Sequence, residues 1–148
     1  MTEIIKFEVP GKAVPQARPA ASFKGGRYWR YDPVQCRDYK IFILECLKAQ
    51  CGIGQSNFEY LGAVKIEVIE YRKIPKSWSK IKQMAARANK IRPVSKPDTD
   101  NILKIVKDAL NGVLWKDDAQ VVSDKVEKFY SQEPRLVISV EYLNEMIN

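Results

Sequence analysis

Four carboxylates sit in two short clusters, Lys96-Pro97-Asp98-Thr99-Asp100-Asn101 and Trp115-Lys116-Asp117-Asp118, with a single stretch of helical periodicity between them. In that stretch Ile102, Leu103, Val106, Ala109, Leu110 and Val113 recur at the spacing of one helix face, and Asn111-Gly112 supplies a stop. This layout leaves the chain few options. A helix opens on the first cluster, a turn closes it, and the return brings the second cluster back toward the first. Carboxylates held close together raise each other's cost of ionisation. The commonest compensation is a hard cation, because Mg²⁺ and Mn²⁺ prefer oxygen ligands from a few carboxylates together with water and phosphate. Extended backbone after Pro97 would point Asp98 and Asp100 the same way, with Thr99 opposite. Asp100 is expected to cap the helix, where the dipole favours its charge. Lys104 lies one turn further on the same face, within reach of a bound phosphate or of Asp100 itself. Each residue also has an ordinary reading, as a cap, a solvated turn or a surface lysine.

The rest of the chain is basic. The formal charge is +7 over 148 residues, and the chain reads as one domain, 1–148. Between Arg72 and Lys96 there are nine basic side chains and no acid, and this stretch runs directly into Asp98. Residues 12–40 hold seven basic side chains against Asp32 and Asp38. Such segregation favours a polyanionic partner. There is no histidine, which removes the Ser-His-Asp triad, His-metal nucleases and most zinc enzymes. Acid–base work must then fall to carboxylates, Lys, Tyr or metal-bound water. Cys36, Cys46 and Cys51 match no metal-ligand spacing; Cys46 reads as a small core residue and the set as that of a reducing, cytoplasmic protein. No signal peptide or membrane span is expected.

The remaining periodicity predicts an α+β domain, a mixed or mostly antiparallel sheet with helices packed on it. Glu3–Val9 and Ala63–Tyr71 alternate as strands. Gly25-Gly26 between aromatic-bearing runs signals a hairpin. Asp32-Pro33 opens a helix capped by Asp32 and ended by Gly52 and Gly54. A second helix starts near Pro75–Trp78 with Ser77 as cap; Trp78, Ile81, Met84, Ala85 and Ala88 form its apolar side. Short strands follow at Val121-Val122, Lys125–Tyr130 and Arg135–Tyr142, the last two joined by a turn around Pro134. Arg18, Lys24, Arg27 and Arg30, interleaved with Phe23, Tyr28 and Trp29, resemble a nucleic-acid surface, with cations for phosphate and aromatics for unstacked bases. Lys96 joins them. The competing reading of the aromatics is core packing.

Lys96-Pro-Asp-Thr-Asp-Asn, then Lys104 and Lys107-Asp-Ala-Leu110, then Trp115-Lys-Asp-Asp-Ala-Gln-Val-Val122, resembles the RusA family of Holliday-junction resolvases, common in prophages. The tight match spans residues 96–122. The resemblance implies that Asp98, Asp100 and Asp118 bind Mg²⁺, for which Mn²⁺ substitutes, and that Lys104 assists catalysis. It further implies a structure-selective endodeoxyribonuclease acting on branched DNA in recombination and repair, working as a homodimer. Tyr60, Leu61 and Phe58 are candidate interface residues. Two departures stand out: the loop from Gly112 to Trp115 is short, and Ser95-Lys96-Pro97 replaces an arginine run. The short loop leaves Asp117 open beside Asp118, which is placed in the metal shell. Two alternatives remain: a non-catalytic basic nucleic-acid-binding module, and a metal-dependent nuclease acting on flaps or forks.

Overall fold

The computed structural model describes residues 3–18, 20–52 and 60–143. Strand β1 (Glu3–Pro10) buries Ile5, Phe7 and Val9 and exposes the residues between them, as the alternation predicts. The hairpin β2 (Ala20–Lys24) and β3 (Arg27–Tyr31) turns on Gly25 and Gly26, both at positive φ, which a primed turn requires. Helix α1 (Val34–Cys51) ends on Gly52 at φ 73°, whose N–H returns to the carbonyl of Lys48. Gly54, the other stop read in the sequence, lies outside the described residues. After α1 come β4 (Ala63–Lys73), α2 (Lys80–Arg87), α3 (Thr99–Leu110), a 3₁₀ turn (Asp118–Gln120), β5 (Val121–Ser131) and β6 (Arg135–Leu143).

Four strands form one mixed sheet in the order β1-β6-β4-β5, and the β2–β3 hairpin stands apart as its own ribbon. The β4–β5 pair is parallel; the other two pairs are antiparallel. A parallel pair needs a long crossover, and α2 and α3 lie within it. The fold is α+β with a mixed sheet, as expected. Helices α1 and α3 pack against each other, α1 also against β1 and α3 against β5. Phe7, Val64, Ile66, Leu136 and Ile138 meet Ile43, Leu47, Ile102, Ile105 and Leu110 in the core.

Several boundaries move. The region read as two strands, Val121-Val122 and Lys125–Tyr130, is one continuous β5. Strands β5 and β6 are not hydrogen-bonded neighbours: the link at residues 132–134 crosses the end of β4, which lies between them. Helix α2 starts later than expected because Ser79, not Ser77, accepts from the N–H of Lys82. Its expected apolar side is not buried: Ile81 and Met84 are 83% and 63% exposed, and Trp78, outside the helix, packs on Tyr130 under the ammonium of Lys82.

Asp32 does not cap α1; Pro33 holds that position. Its carboxylate instead accepts from Lys40 Nζ at 2.8 Å and from Gln16 Nε2 at 2.8 Å. Lys40 is also 3.8 Å from Asp108 on α3, so the foot of the hairpin, α1 and α3 share one ionic link. The Lys40 hydrogen bond, then that from Gln16, holds the Asp32 carboxyl below its ordinary value. A folded-state pKa below the unfolded one gives stability that is complete above the unfolded value and lost as pH falls through the folded one. The expected outcome is a steeper acid loss of stability in the wild type than in Asp32→Asn, read by urea melts from neutral pH to about pH 3. Parallel acid limbs would remove Asp32 from this role.

Candidate functional site

The approach to the first acidic cluster is fixed by the end of β4. The inward register of β4 runs Val64, Ile66, Val68, Glu70, which places a carboxylate at the edge of the core with 3% exposure. An unpaired charge there costs several kcal/mol. Arg72 meets it in a two-pronged pair, Nε to Oε2 at 3.0 Å and Nη2 to Oε1 at 2.8 Å. The remaining nitrogen, Nη1, donates to the carbonyls of Ser95 and Lys96 and to Ser95 Oγ. Lys128 on β5 adds bonds to the carbonyls of Ser95 at 2.8 Å and Pro97 at 3.1 Å. Residues 95–97 are thus a strap held by two cations, and they deliver the chain to Asp98.

Helix α3 starts two residues earlier than the sequence suggests. Asp98 is its N-cap, in extended conformation, and Asp100 lies in its first turn. The expectation that Asp100 caps the helix, and that both carboxylates extend in the same direction from one extended segment, is therefore corrected: only Asp98 is extended. Thr99 already has helical geometry because the Asp98 carbonyl accepts from the N–H of Ile102. Asp98, Asp100 and Lys104 are all exposed. Asp100, Leu103, Lys104, Lys107, Asp108 and Asp118 line one open depression of about 270 Å³. Asp98 is not among its lining residues. The loop before the hairpin lies against this helix end, with the Gln16 N–H on the Asn101 carbonyl at 3.1 Å.

The return path is equally fixed. Gly112, at φ 80°, donates to the Trp115 carbonyl at 2.7 Å and closes the turn after α3. Trp115 is fully buried, and the adjacent Leu114 carbonyl accepts from the buried Tyr142 hydroxyl at 2.6 Å. The Trp115 indole N–H donates to Asp118 Oδ1 at 2.8 Å, which sets the orientation of that carboxylate. Asp117 is occupied differently. It caps the 3₁₀ turn, its Oδ1 accepting from the Ala119 N–H, and Gln120 completes a capping box. Gln120 also donates to the carbonyls of Tyr60 and Gly62. Of the two adjacent aspartates, Asp118 faces the depression and Asp117 holds the turn.

The basic residues divide into two surfaces. On the hairpin, Phe23 and Tyr28 pair across the strands and are 74% and 60% exposed, so they are not core residues. Arg27 and Arg30 are exposed, but the strand alternation places them on opposite faces of the ribbon. Arg18 is exposed on the loop leading in. The side chains of Lys24 and Trp29 lie outside the described residues, as does Phe58. Lys96 sits on the strap, exposed. Tyr60 donates to the carbonyls of Ala63 and Leu143 and packs on Tyr142, while Leu61 is 70% exposed.

Among the described residues, no three Cys, Asp or Glu side chains gather tightly enough to form a complete metal cage. The donor chemistry of the depression nonetheless suits a hard cation. Mg²⁺ usually keeps several waters and takes one or two carboxylates plus a substrate phosphate, and Asp100 and Asp118 provide two. Sequence reasoning missed Glu70, Arg72, Lys128, Gln120 and Asp108. Two of these had readable signals: Glu70 continues the buried phase of β4, and Asp108 continues the Asp100–Lys104 helical row.

Residues 10–141 match a family model described as Endodeoxyribonuclease RusA. A Bacillus subtilis (strain 168) protein described as "Uncharacterized protein YqaN" is 42% identical over 142 residues, covering 93% of this chain and 96% of that protein.

The Glu70–Arg72 pair makes a measurable claim. Arg72→Ala strands a buried carboxylate and should cost about 3 kcal/mol, the low end for broken buried pairs because Arg72 is partly exposed. Replacing both partners with leucine should restore most of that loss, because no charge is left unpaired. A double-mutant cycle by urea denaturation checks this, and a coupling near zero would show that the pair does not anchor the strap.

Proposed function

The chain belongs to the RusA endodeoxyribonuclease family, and from that premise we propose that it is a divalent-metal-dependent nuclease resolving four-way DNA junctions by paired phosphodiester cleavage. The family is one of enzymes that hydrolyse DNA and implies junction-resolving activity. The observation that carries the finer reading is the shared depression of Asp100, Lys104 and Asp118. Residues far apart in sequence, of the types that phosphodiester hydrolysis uses, line one surface.

Mg²⁺, or Mn²⁺ in its place, would be held by Asp100 and Asp118, with Asp98 at the neighbouring helix cap. When bound, it supplies a more acidic water and a charge that polarises the phosphate. The chain's own residues do the rest. Trp115 holds Asp118 in one orientation, so less rotamer freedom is lost on binding. Lys104 places a fixed cation where negative charge builds on the phosphate. Lys107, one turn along, adds a second positive charge to the same wall. Exposed cations and aromatics on the hairpin offer phosphate contacts and stacking surfaces. Two matched nicks on a near two-fold substrate are served by a symmetric pair of subunits, so the working unit is read as a homodimer acting in recombination and repair.

Asp100→Asn and Asp118→Asn should each lower Mg²⁺-dependent junction cleavage by at least about 100-fold, roughly 2.7 kcal/mol, with junction binding kept. Side-by-side assays on a four-way junction, a fork and linear duplex read the outcome. Undiminished cleavage by both variants would dismiss the site. Equal cleavage of fork and junction would favour a flap or fork nuclease, and binding without any cleavage a non-catalytic module. Reversing the charges of Arg27 and Arg30 should weaken junction binding and flatten its dependence on salt. Unchanged affinity across a salt titration would exclude the hairpin as a contact.

A further inference from the structure

Where β4 ends, a second cavity, of about 440 Å³, opens between the strap, the residues following β1 and the link before β6. It is distinct from the acidic depression and shares no lining residue with it. Ala13, Pro97 and Pro134 give it apolar walls. Its polar floor is the Glu70–Arg72 pair. Arg72 is fully committed: each guanidinium nitrogen already bonds to Glu70 or to the strap. The pair is therefore electrically quiet and adds no net charge.

The rim is different. Lys12, Lys73 and Lys96 also line the cavity, and none of their ammonium groups has a hydrogen bond or ion pair among the described residues. Three uncommitted cations around an apolar cleft with a small polar floor make an amphipathic site. Its volume lies in the usual range for small-molecule pockets of roughly 300–1,000 Å³. A free phosphate would use the lysines and leave the apolar walls against water. A bare aromatic ring would use the walls and leave the cations idle. A nucleotide uses both: a flat ring for the walls and an anion for the rim.

We propose that this cavity receives one unstacked nucleotide of the bound DNA strand, its base against Ala13, Pro97 and Pro134 and its phosphate among Lys12, Lys73 and Lys96. The proposal rests on the nuclease reading above and extends it. Taking a nucleotide out of a stack costs a few kcal/mol, least where pairing is already interrupted, as at a branch point. A protein with such a pocket selects branched over linear DNA because only the former yields the nucleotide cheaply. The location matters too. Lys96 and Pro97 form one wall and Asp98 is the next residue, so the occupant rests against the strap that delivers the acidic cluster.

The experiment is an NMR titration of the ¹⁵N-labelled full chain with deoxycytidine 5′-monophosphate, deoxycytidine and inorganic phosphate in turn. The monophosphate should shift the amides of Lys12, Ala13, Lys73 and Lys96, and bind at least about tenfold tighter than either fragment. Lys12→Ala and Lys73→Ala, both exposed positions, should each weaken it severalfold, while Asp100→Asn should leave it unchanged. Phosphate binding as tightly as the nucleotide would overturn the proposal, as would shifts confined to the hairpin or no shifts at all. Junction cleavage measured on the same preparations separates the two readings. Cleavage without nucleotide binding removes the pocket alone, and nucleotide binding without cleavage removes the nuclease reading.

Discussion

A single buried carboxylate organises the approach to the acidic surface. Glu70 is the one charged side chain in the core among the described residues. Left unpaired it would cost more than most single contacts in a domain of this size contribute. Arg72, on the same strand and two residues along, meets that need, and its remaining nitrogen is left facing residues 95–97. The strap is thus positioned by the electrostatics of the sheet. Lys128 arrives from the parallel neighbour β5, opposite Glu70 in the register, and donates to the Ser95 carbonyl that Arg72 also binds and to the Pro97 carbonyl. The crossover that makes β4 and β5 parallel is therefore stitched to both of them before it reaches α3.

From that anchor α3 acts as a spacer. Twelve helical residues extend about 18 Å, after which the chain must turn and return. The turn is fixed from beneath by Tyr142 of β6, whose hydroxyl binds the Leu114 carbonyl, and by Trp115, which fills the core and reaches Asp118. Gln120 then ties the same turn to the segment preceding β4. The depression therefore has two rigid supports at opposite ends of one helix, both tied to the sheet. Its lining side chains are exposed or half-exposed, yet the backbone that presents them is secured by buried groups.

Much of this was legible in advance. The helix between the two clusters follows from its apolar spacing, and the hairpin from Gly25-Gly26. The strand alternation at β1 and β4 is plain. What failed did so for physical reasons. Asp32 is a good cap by type, but its two carboxylate oxygens are taken by Gln16 and Lys40, and Pro33 holds the cap position. Val121-Val122 looks like a separate short strand because charged residues interrupt it; a sheet edge tolerates them, so β5 runs on. The α2 stripe of Ile81 and Met84 has helical periodicity without burial, since Trp78 and not the stripe packs on Tyr130. Periodicity reports which residues share a face; it does not report what covers that face. The hold of Arg72 and Lys128 on the strap was unreadable because residues 95–97 are distant from both in sequence.

The charge layout explains why binding and cutting should separate. The depression carries Asp100, Asp108 and Asp118 against Lys104 and Lys107. Lys40, 3.8 Å from Asp108 and 2.8 Å from Asp32, offsets part of the Asp108 charge. Lys104 and Lys107 oppose Asp100 and Asp118 on that wall, so the depression is close to charge balance and gives a phosphodiester little net attraction of its own. The surrounding surface supplies the attraction: the stretch from Arg72 to Lys96 has no acid at all, and the hairpin projects arginines on both faces. A strand drawn in by that surface is thus held by contacts outside the depression. Neutralising either aspartate removes a negative charge without touching those contacts, so affinity survives such a change. The mutual repulsion of the two carboxylates is borne at the one place where a bound cation would convert it into attachment.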